Sequence, residues 1–361
     1  MFKFHICNII IILFLQNDNF VNGRIGIEMV NAERYSKTNK KQRKKSLKPK
    51  ILFLVFELVF TVITFPFILL YGPFDNAKRT YVGAAMGSMN HQYLATLFLS
   101  DEQIEAIIGD SNQTYDETTD VSEVKVSSVN DDTIELYEIA DNPKYTGYYL
   151  VIKDPTRVKV GVSSQLEKEG ETTTKIAENY NAIAAINGGA FVDKTTAEWT
   201  GTGAYPDGIV ISESKLIWNS TPEGTKTDLF GITKEGILLV GQYSYEELKE
   251  LGVQEALSFG PVLIINNKLQ NISKDGGIAP RTAIGQRADG AIILLVIDGR
   301  RLGSYGSTYT ELQEIMYKLG AINAINLDGG KSTTMYYNGD IINTPSSSMG
   351  ERALPTAVIV K

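Results

Sequence analysis

Asn326 to Gly339 reads NLDGGKSTTMYYNG, and this stretch decides between fold classes. Its Gly-Gly-Lys-Ser centre has the ending of a phosphate-cradling P-loop, which would imply a doubly wound parallel sheet. That motif needs a further glycine upstream, and Ile325 stands at the required position, inside the apolar run AINAINL. It also needs a helix to follow, whereas TTMYY is β-branched and aromatic, and Asn338-Gly339 is the dipeptide of a tight hairpin. The stretch is therefore a strand, a polar turn and a hairpin, and the end of the chain belongs to an antiparallel sheet.

The same texture extends back to about Thr133, as short apolar runs separated by Gly, Asp and Asn turns. Strands are predicted at Ile134–Ile139, Tyr148–Ile152, Val158–Val162, Ile183–Ile186, Gly208–Ser212, Gly236–Val240, Ala256–Ile264, Thr282–Gln286, Ala291–Ile297, Ala324–Leu327, Thr334–Tyr337 and Thr356–Val360. Helical patterns intervene only at Thr173–Tyr180, Ser244–Leu251 and Thr308–Leu319. Many strands with a few helices out of regular alternation define an α+β domain over 133–361, with a mixed, largely antiparallel sheet core and flanking helices.

Upstream, Ile51 to Tyr71 reads ILFLVFELVFTVITFPFILLY, long enough to cross a bilayer with Glu57 as its one ionisable side chain. Residues 51–72 are read as a single transmembrane helix. Eight Lys and Arg and no acid lie between Lys37 and Lys50, which places a basic tail, 1–50, in the cytoplasm and the later domain outside. Met29, just before that cluster, is read as the true start, which would leave 1–28 untranslated. Residues 73–132 read as a stalk: Ser100-Asp-Glu-Gln103 is a capping box for a helix near Asp101–Ile108, and Ser111–Asp132 is a polar extended linker.

Composition removes several chemistries. The chain carries −7 overall despite its basic cluster, so the domain is acidic and lacks the footprint that nucleic acid requires. The only cysteine is Cys7 and the only histidines are His5 and His91, all upstream of the domain. Ser-His-Asp triads, thiol nucleophiles and multi-histidine metal sites are thereby excluded from it. Acid–base chemistry must come from Asp, Glu, Tyr or Lys.

Four glycine-punctuated segments begin where apolar strands end: Asn187-Gly188-Gly189-Ala-Phe191, Pro280-Arg281-Thr-Ala-Ile-Gly285, Asp298-Gly-Arg300, and Asn326-Leu-Asp328-Gly329-Gly330-Lys331-Ser332-Thr333. Polar side chains at strand ends on a rigid sheet are where sites are built, and glycines there let a ligand approach the backbone. Each segment also reads as an ordinary turn.

Taken together, NGGAF, PRTAIG, IDGR, the helix TELQEIMYKLG, NLDGGKSTTMYYNG and the closing GERALPTAVIV are similar, in this order, to the phosphodiester glycosidase family, whose bacterial relatives include exopolysaccharide biosynthesis proteins. The resemblance covers about Ile134 to Lys361. One departure is Lys331, where the family often has a third glycine. The resemblance implies an extracellular hydrolase that cleaves a sugar-1-phosphate diester in a cell-wall or exopolysaccharide glycan. Such cleavage builds positive charge at the anomeric carbon and leaves a phosphate monoester, so it calls for a carboxylate and a cationic clamp. Asp328, at the end of AINAINL before two glycines, is the first choice of carboxylate, followed by Glu311 and Asp298. Glu311 reads equally as the capping-box partner of Thr308, and Asp328 as an Asx-turn residue. Arg281 is the first candidate for a bidentate phosphate clamp, and Arg300 either binds phosphate or pairs with Asp298. Asn187 and Asn326 suit sugar hydroxyls, while Ser332 and Thr333 suit phosphate oxygens. No cofactor is required, although Asp328, Asp298 and Asn187 offer oxygen ligands for calcium or magnesium. The competing reading is a glycan-binding or exopolysaccharide assembly protein that keeps the fold without the chemistry.

Overall fold

The computed structural model describes residues 47–86, 92–108, 115, 117–126, 130–139, 142–192, 202–272 and 276–361. The tail before residue 47, including Met29 and most of the basic cluster, and His91 lie outside the described residues. The chain divides into two units, Met1–Leu58 and Val59–Lys361.

Three antiparallel sheets form the domain. The largest is ordered β1 (Ile134–Ile139), β2 (Gly147–Ile152), β15 (Ile292–Ile297), β14 (Arg281–Arg287), β16 (Ala321–Leu327), β12 (Val262–Ile265) and β13 (Lys268–Leu269). A second runs β18 (Asp340–Ile341), β17 (Met335–Tyr337), β4 (Ala184–Asn187), β19 (Thr356–Val360) and β3 (Val158–Val162). The third runs β10 (Leu238–Tyr243), β9 (Thr227–Thr233), β11 (Val253–Ser258), β7 (Ile209–Ser212) and β8 (Lys215–Asn219). A two-stranded ribbon, β5 (Phe191–Val192) with β6 (Tyr205–Pro206), completes the set. Every pairing among these strands is antiparallel, in an α+β domain with the largely antiparallel core expected of it.

One core joins the three sheets. Leu150, Leu294 and Ile325 from the first meet Val160, Ile186 and Val358 from the second and Val210, Phe230 and Leu257 from the third. A helix covers the outer side of each sheet. Among the helices α1 (Leu47–Tyr71), α2 (Asp75–Met86), α3 (Tyr93–Thr96), α4 (Asp101–Ile108), α5 (Thr173–Asn179), α6 (Tyr245–Glu250) and α7 (Tyr309–Lys318), these covers are α7, α5 and α6 in turn. Strands buried on both faces carry unbroken apolar runs, which is why β15 reads IILLVI instead of alternating. The predicted strand Ala256–Ile264 is two strands, β11 and β12, interrupted by Phe259, Gly260 and Pro261. Proline has no N–H to continue a ladder.

Helix α1 contains Lys50–Tyr71, the one helix among the described residues that is long and apolar enough to cross a membrane. After it, the predicted stalk is largely folded. Helices α2, α3 and α4 pack around Leu70, Val82, Ala85, Ala95, Leu99 and Ile104, and Phe67 meets the Phe98 ring edge-on at 5.6 Å. The capping box at Ser100 forms, with Gln103 N donating to Ser100 Oγ and Ser100 N to Gln103 Oε1. The described residues of the later polar stretch are bound to the domain, unlike a solvated linker. Tyr115 donates to Asp228 Oδ2 at 2.8 Å and accepts from Val262 N at 2.9 Å. Thr119 Oγ1 bonds both the carbonyl and the amide of Val240, and Val124 is buried.

Candidate active site

The registers of the central sheet gather residues from distant parts of the chain at one end. Arg281 pairs with Ile297, so Asp298 lies one residue beyond on β15; Thr282 pairs with Leu327, so Asp328 falls opposite Arg281. Asn187, at the end of β4, ties this end to the second sheet. Its Nδ2 donates to the Asp328 carbonyl at 2.5 Å, and its Oδ1 accepts from Thr282 Oγ1 at 2.8 Å and from Thr334 N at 3.1 Å. Asn187 is wholly buried, so all three bonds are shielded from water.

The carboxylates that sequence placed together play different parts. Asp328 is half-buried at the strand end, and its charge holds up that of Arg300. Asp298 is sealed in, at 1% exposure, and its oxygens are taken by protein donors. Arg301 Nη2 lies at 2.7 Å from Oδ2, Asn343 Nδ2 at 2.9 Å from Oδ1, and the amide of Thr344 at 3.1 Å from both. Burial pushes the Asp298 carboxyl up, against the pull of Asn343, Thr344 and Arg301. Asp298 thus fastens the loop that carries Arg300 to the loop after β18, and the ion pair read for Arg300 belongs to Arg301. Glu311 closes the capping box with Thr308 at the start of α7 and pairs with Lys144 Nζ at 2.5 Å. Its side chain faces a separate hollow of about 270 Å³ shared with Asn142, Tyr145, Glu314 and Lys318.

Arg281 differs from the open phosphate clamp expected of it. It is 5% exposed; its Nε donates to Ser307 O at 3.0 Å, and its Nη2 to the carbonyls of Gly276 at 3.1 Å and Gly277 at 2.6 Å. Its guanidinium lies 3.9 Å from the centre of the Tyr309 ring. Arg300 is the more open of the two arginines as a whole residue, although its guanidinium is set into the surface. It sits at φ +58°, and a side chain on Gly330 would approach its Nη1 to 3.3 Å. Burial of its head and the nearby charge of Arg281 push its pKa down, while Asp328 raises it. Lys331 is exposed in the short 3₁₀ turn Gly330–Ser332.

The glycines serve the chain more than a ligand. A Cβ on Gly188 would lie 2.3 Å from Thr356 Oγ1, one on Gly189 2.6 Å from Ser258 O, and one on Gly329 2.6 Å from Pro280 O. Asn326 is buried and its Nδ2 donates to Gly260 O at 2.7 Å, while its Oδ1 has no hydrogen-bond partner among the described residues. Thr333 is buried against Thr282 at 3.4 Å. By contrast Ser307 Oγ, Ser332 Oγ and Thr334 Oγ1 are buried with no hydrogen-bond partner among the described residues. Unpaired buried hydroxyls are uncommon; Thr173, Thr174 and Thr202 are the others among the described residues.

Among the oxygens read as metal ligands, those of Asn187 and Asp298 are engaged by the protein. Asn187 Oδ1 and both oxygens of Asp298 already accept protein hydrogen bonds. No group of three or more Asp, Glu, His or Cys among the described residues is placed to hold a metal ion.

An antiparallel α+β domain with such a strand-end site has known relatives. The family model described as phosphodiester glycosidase matches residues 180–361, and the chain belongs to that family of hydrolases. The mouse N-acetylglucosamine-1-phosphodiester alpha-N-acetylglucosaminidase is 28% identical over 224 residues, covering 55% of this chain and 41% of the mouse protein. The SPbeta prophage-derived uncharacterized protein YomE of Bacillus subtilis is 26% identical over 215 residues, 57% of this chain and 31% of its own. The chain thus spans well under half the length of these curated relatives. A solved structure of the zebrafish N-acetylglucosamine-1-phosphodiester alpha-N-acetylglucosaminidase catalytic domain, auto-inhibited by its pro-peptide, superposes with a TM-score of 0.55 at 24% identity, covering 68% of this chain and 87% of that one.

Proposed function

We propose that this domain hydrolyses a sugar-1-phosphate diester, with Asp328 as the working carboxylate and Arg300 as the cation that receives the phosphate. The observation that carries this reading is the half-buried Asp328 carboxylate acting on the Arg300 guanidinium, which is set into the surface on an otherwise exposed residue, with buried hydroxyls that lack protein partners nearby in sequence. Water attacks the anomeric carbon as its bond to the phosphate oxygen breaks, giving free sugar and a phosphate monoester. Asp328 stabilises the positive charge that builds on the sugar or accepts the proton of the attacking water. Phosphate leaves readily without a proton, so a second carboxylate is not needed; Asp298 and Glu311 are committed to structural bonds. Arg281 contributes a fixed positive charge from behind, and Ser332 and Thr334 offer hydroxyls to the phosphate or the sugar.

Helix α1 anchors the chain in this reading, with the basic cluster on the cytoplasmic side and the hydrolase outside, facing a cell-wall or exopolysaccharide glycan. The test is the full chain in detergent with UDP-N-acetylglucosamine and synthetic sugar-1-phosphate diesters. Free sugar should be released, and Asp328→Ala should abolish release while the melting temperature holds. Absence of turnover across the panel, with glycan binding that survives Asp328→Ala, would instead identify a binding protein.

A further inference from the structure

The buried arginine at the site takes its orientation from outside the sheets. Two of the three carbonyls that hold Arg281 belong to Gly276 and Gly277. Both glycines have left-handed backbone, at φ +62° and +65°, and the turn is gripped from two sides. A Cβ on Gly276 would lie 2.4 Å from the Tyr309 ring, the ring on which Arg281 stacks; a Cβ on Gly277 would lie 2.8 Å from the Cα of Thr80. Thr80 is on α2, and one helical turn along, the Cβ position of Gly83 is 3.5 Å from the Gly276 carbonyl oxygen. The helix therefore meets the turn backbone to backbone, with no long side chain between them. Val82 and Ala85 of α2 are in turn buried against Leu99 and Ile104 of the following helical segment.

We infer that α2, the helix that follows the apolar anchor, is a positioning element of the active site, acting on Arg281 through the Gly276–Gly277 carbonyls. A guanidinium whose Nε and Nη2 hydrogens are given to backbone oxygens is turned by those oxygens. Its charge bears directly on Arg300, whose own neighbour is Asp328. Displacing α2 shifts the carbonyls, then Arg281, then the field in which Arg300 meets a phosphate. Thr80 and Gly83 touch no reacting atom in this scheme. The inference rests on the phosphate-binding reading of Arg300 given above.

The test uses the full chain in detergent. Gly83→Leu drives a branched side chain into the Gly276 carbonyl, whereas Gly83→Ala adds only a methyl at ordinary contact distance. Thr80→Phe crowds the same turn from a partly exposed position and serves if Gly83→Leu does not fold. Gly83→Leu or Thr80→Phe is expected to raise KM for a sugar-1-phosphate diester, and the inhibition constant of inorganic phosphate, by about tenfold to a hundredfold. In the same variants kcat should stay within about threefold, and Gly83→Ala should behave as wild type. Unchanged KM and phosphate inhibition in a folded variant would overturn the inference. A parallel fall of kcat and melting temperature without a KM shift would also overturn it, since that is the mark of plain destabilisation. A wild-type chain without turnover defeats the proposed reaction; phosphate binding by calorimetry, compared between wild type and Gly83→Leu, still decides the positioning role.

Discussion

Arg301, not its neighbour Arg300, closes the salt bridge on Asp298, at 2.7 Å. One residue of offset separates a structural arginine from one free to meet a substrate. Asp298→Ala should cost about 3–5 kcal/mol, because it leaves Arg301, Asn343 and the Thr344 amide without their shared acceptor. Chemical denaturation measures this, and a loss below about 1 kcal/mol would contradict the fastening role.

Arg300 should show the opposite profile. Its left-handed backbone suits glycine, so Arg300→Gly removes the guanidinium while relieving the φ constraint. The melting temperature is expected to hold or rise slightly. KM for a sugar-1-phosphate diester should increase roughly tenfold to a hundredfold, the loss of one charge-assisted bond of about 1.5–3 kcal/mol.

Asp328→Asn is nearly isosteric and should lower kcat/KM by on the order of 10² to 10⁴. Glu311→Gln keeps a residue able to complete the capping box, and should leave kcat within about threefold. Steady-state assays of the two side by side distinguish a working carboxylate from a helix cap; equal losses would undo the assignment.

Extended dialysis against EDTA is expected to leave turnover unchanged. The oxygens of Asn187 and Asp298 are occupied by protein donors, so a bound divalent ion would have to displace them. Loss of activity restored by calcium or magnesium would show that they rearrange.

Burial raises the Asp228 carboxyl above its ordinary value, while Gln242 and Tyr115 pull it back only in part. The folded state therefore binds this proton more tightly than the unfolded state. The contribution of Asp228 is fully favourable below the unfolded pKa near 3.8 and is lost as pH rises through the folded value. The unfolding free energy of wild type relative to Asp228→Asn should accordingly fall as pH rises from that acidic limit, then level off. Denaturation curves collected at several pH values check the sign.

Much of this architecture is legible in the chain itself. Strands β1, β3 and β19 fall at the predicted bounds, because their apolar runs end in turn residues. Helix α7 follows from the capping box at Thr308, which forms, and α6 from a helical pattern that proves to begin at a capping box on Ser244. Strand β9 escapes such reading, since Asp228 and Gly231 interrupt TDLFGIT and only the neighbouring strands supply its core contacts. Helix α2 escapes too: AKRTYVGAAM has little amphipathic pattern, and packing against Leu70, Leu99 and Ile104 sustains it. At the site, sequence points to strand ends that the sheet registers bring together. It cannot tell Arg300 from Arg301 or an open carboxylate from a sealed one, because those differences arise from loops that meet only in three dimensions.

Strand β19 lies between β3 and β4 although a long stretch of chain separates it from both. On the ribosome, β4 gains this neighbour only once residues 356–360 have left the exit tunnel, and the Asn187 end of β4 waits with it. Completion of the domain is thus a late closure event, governed by long-range pairing and not by local helix formation. Until then the nascent chain presents an unpaired edge that calls for a chaperone or rapid completion.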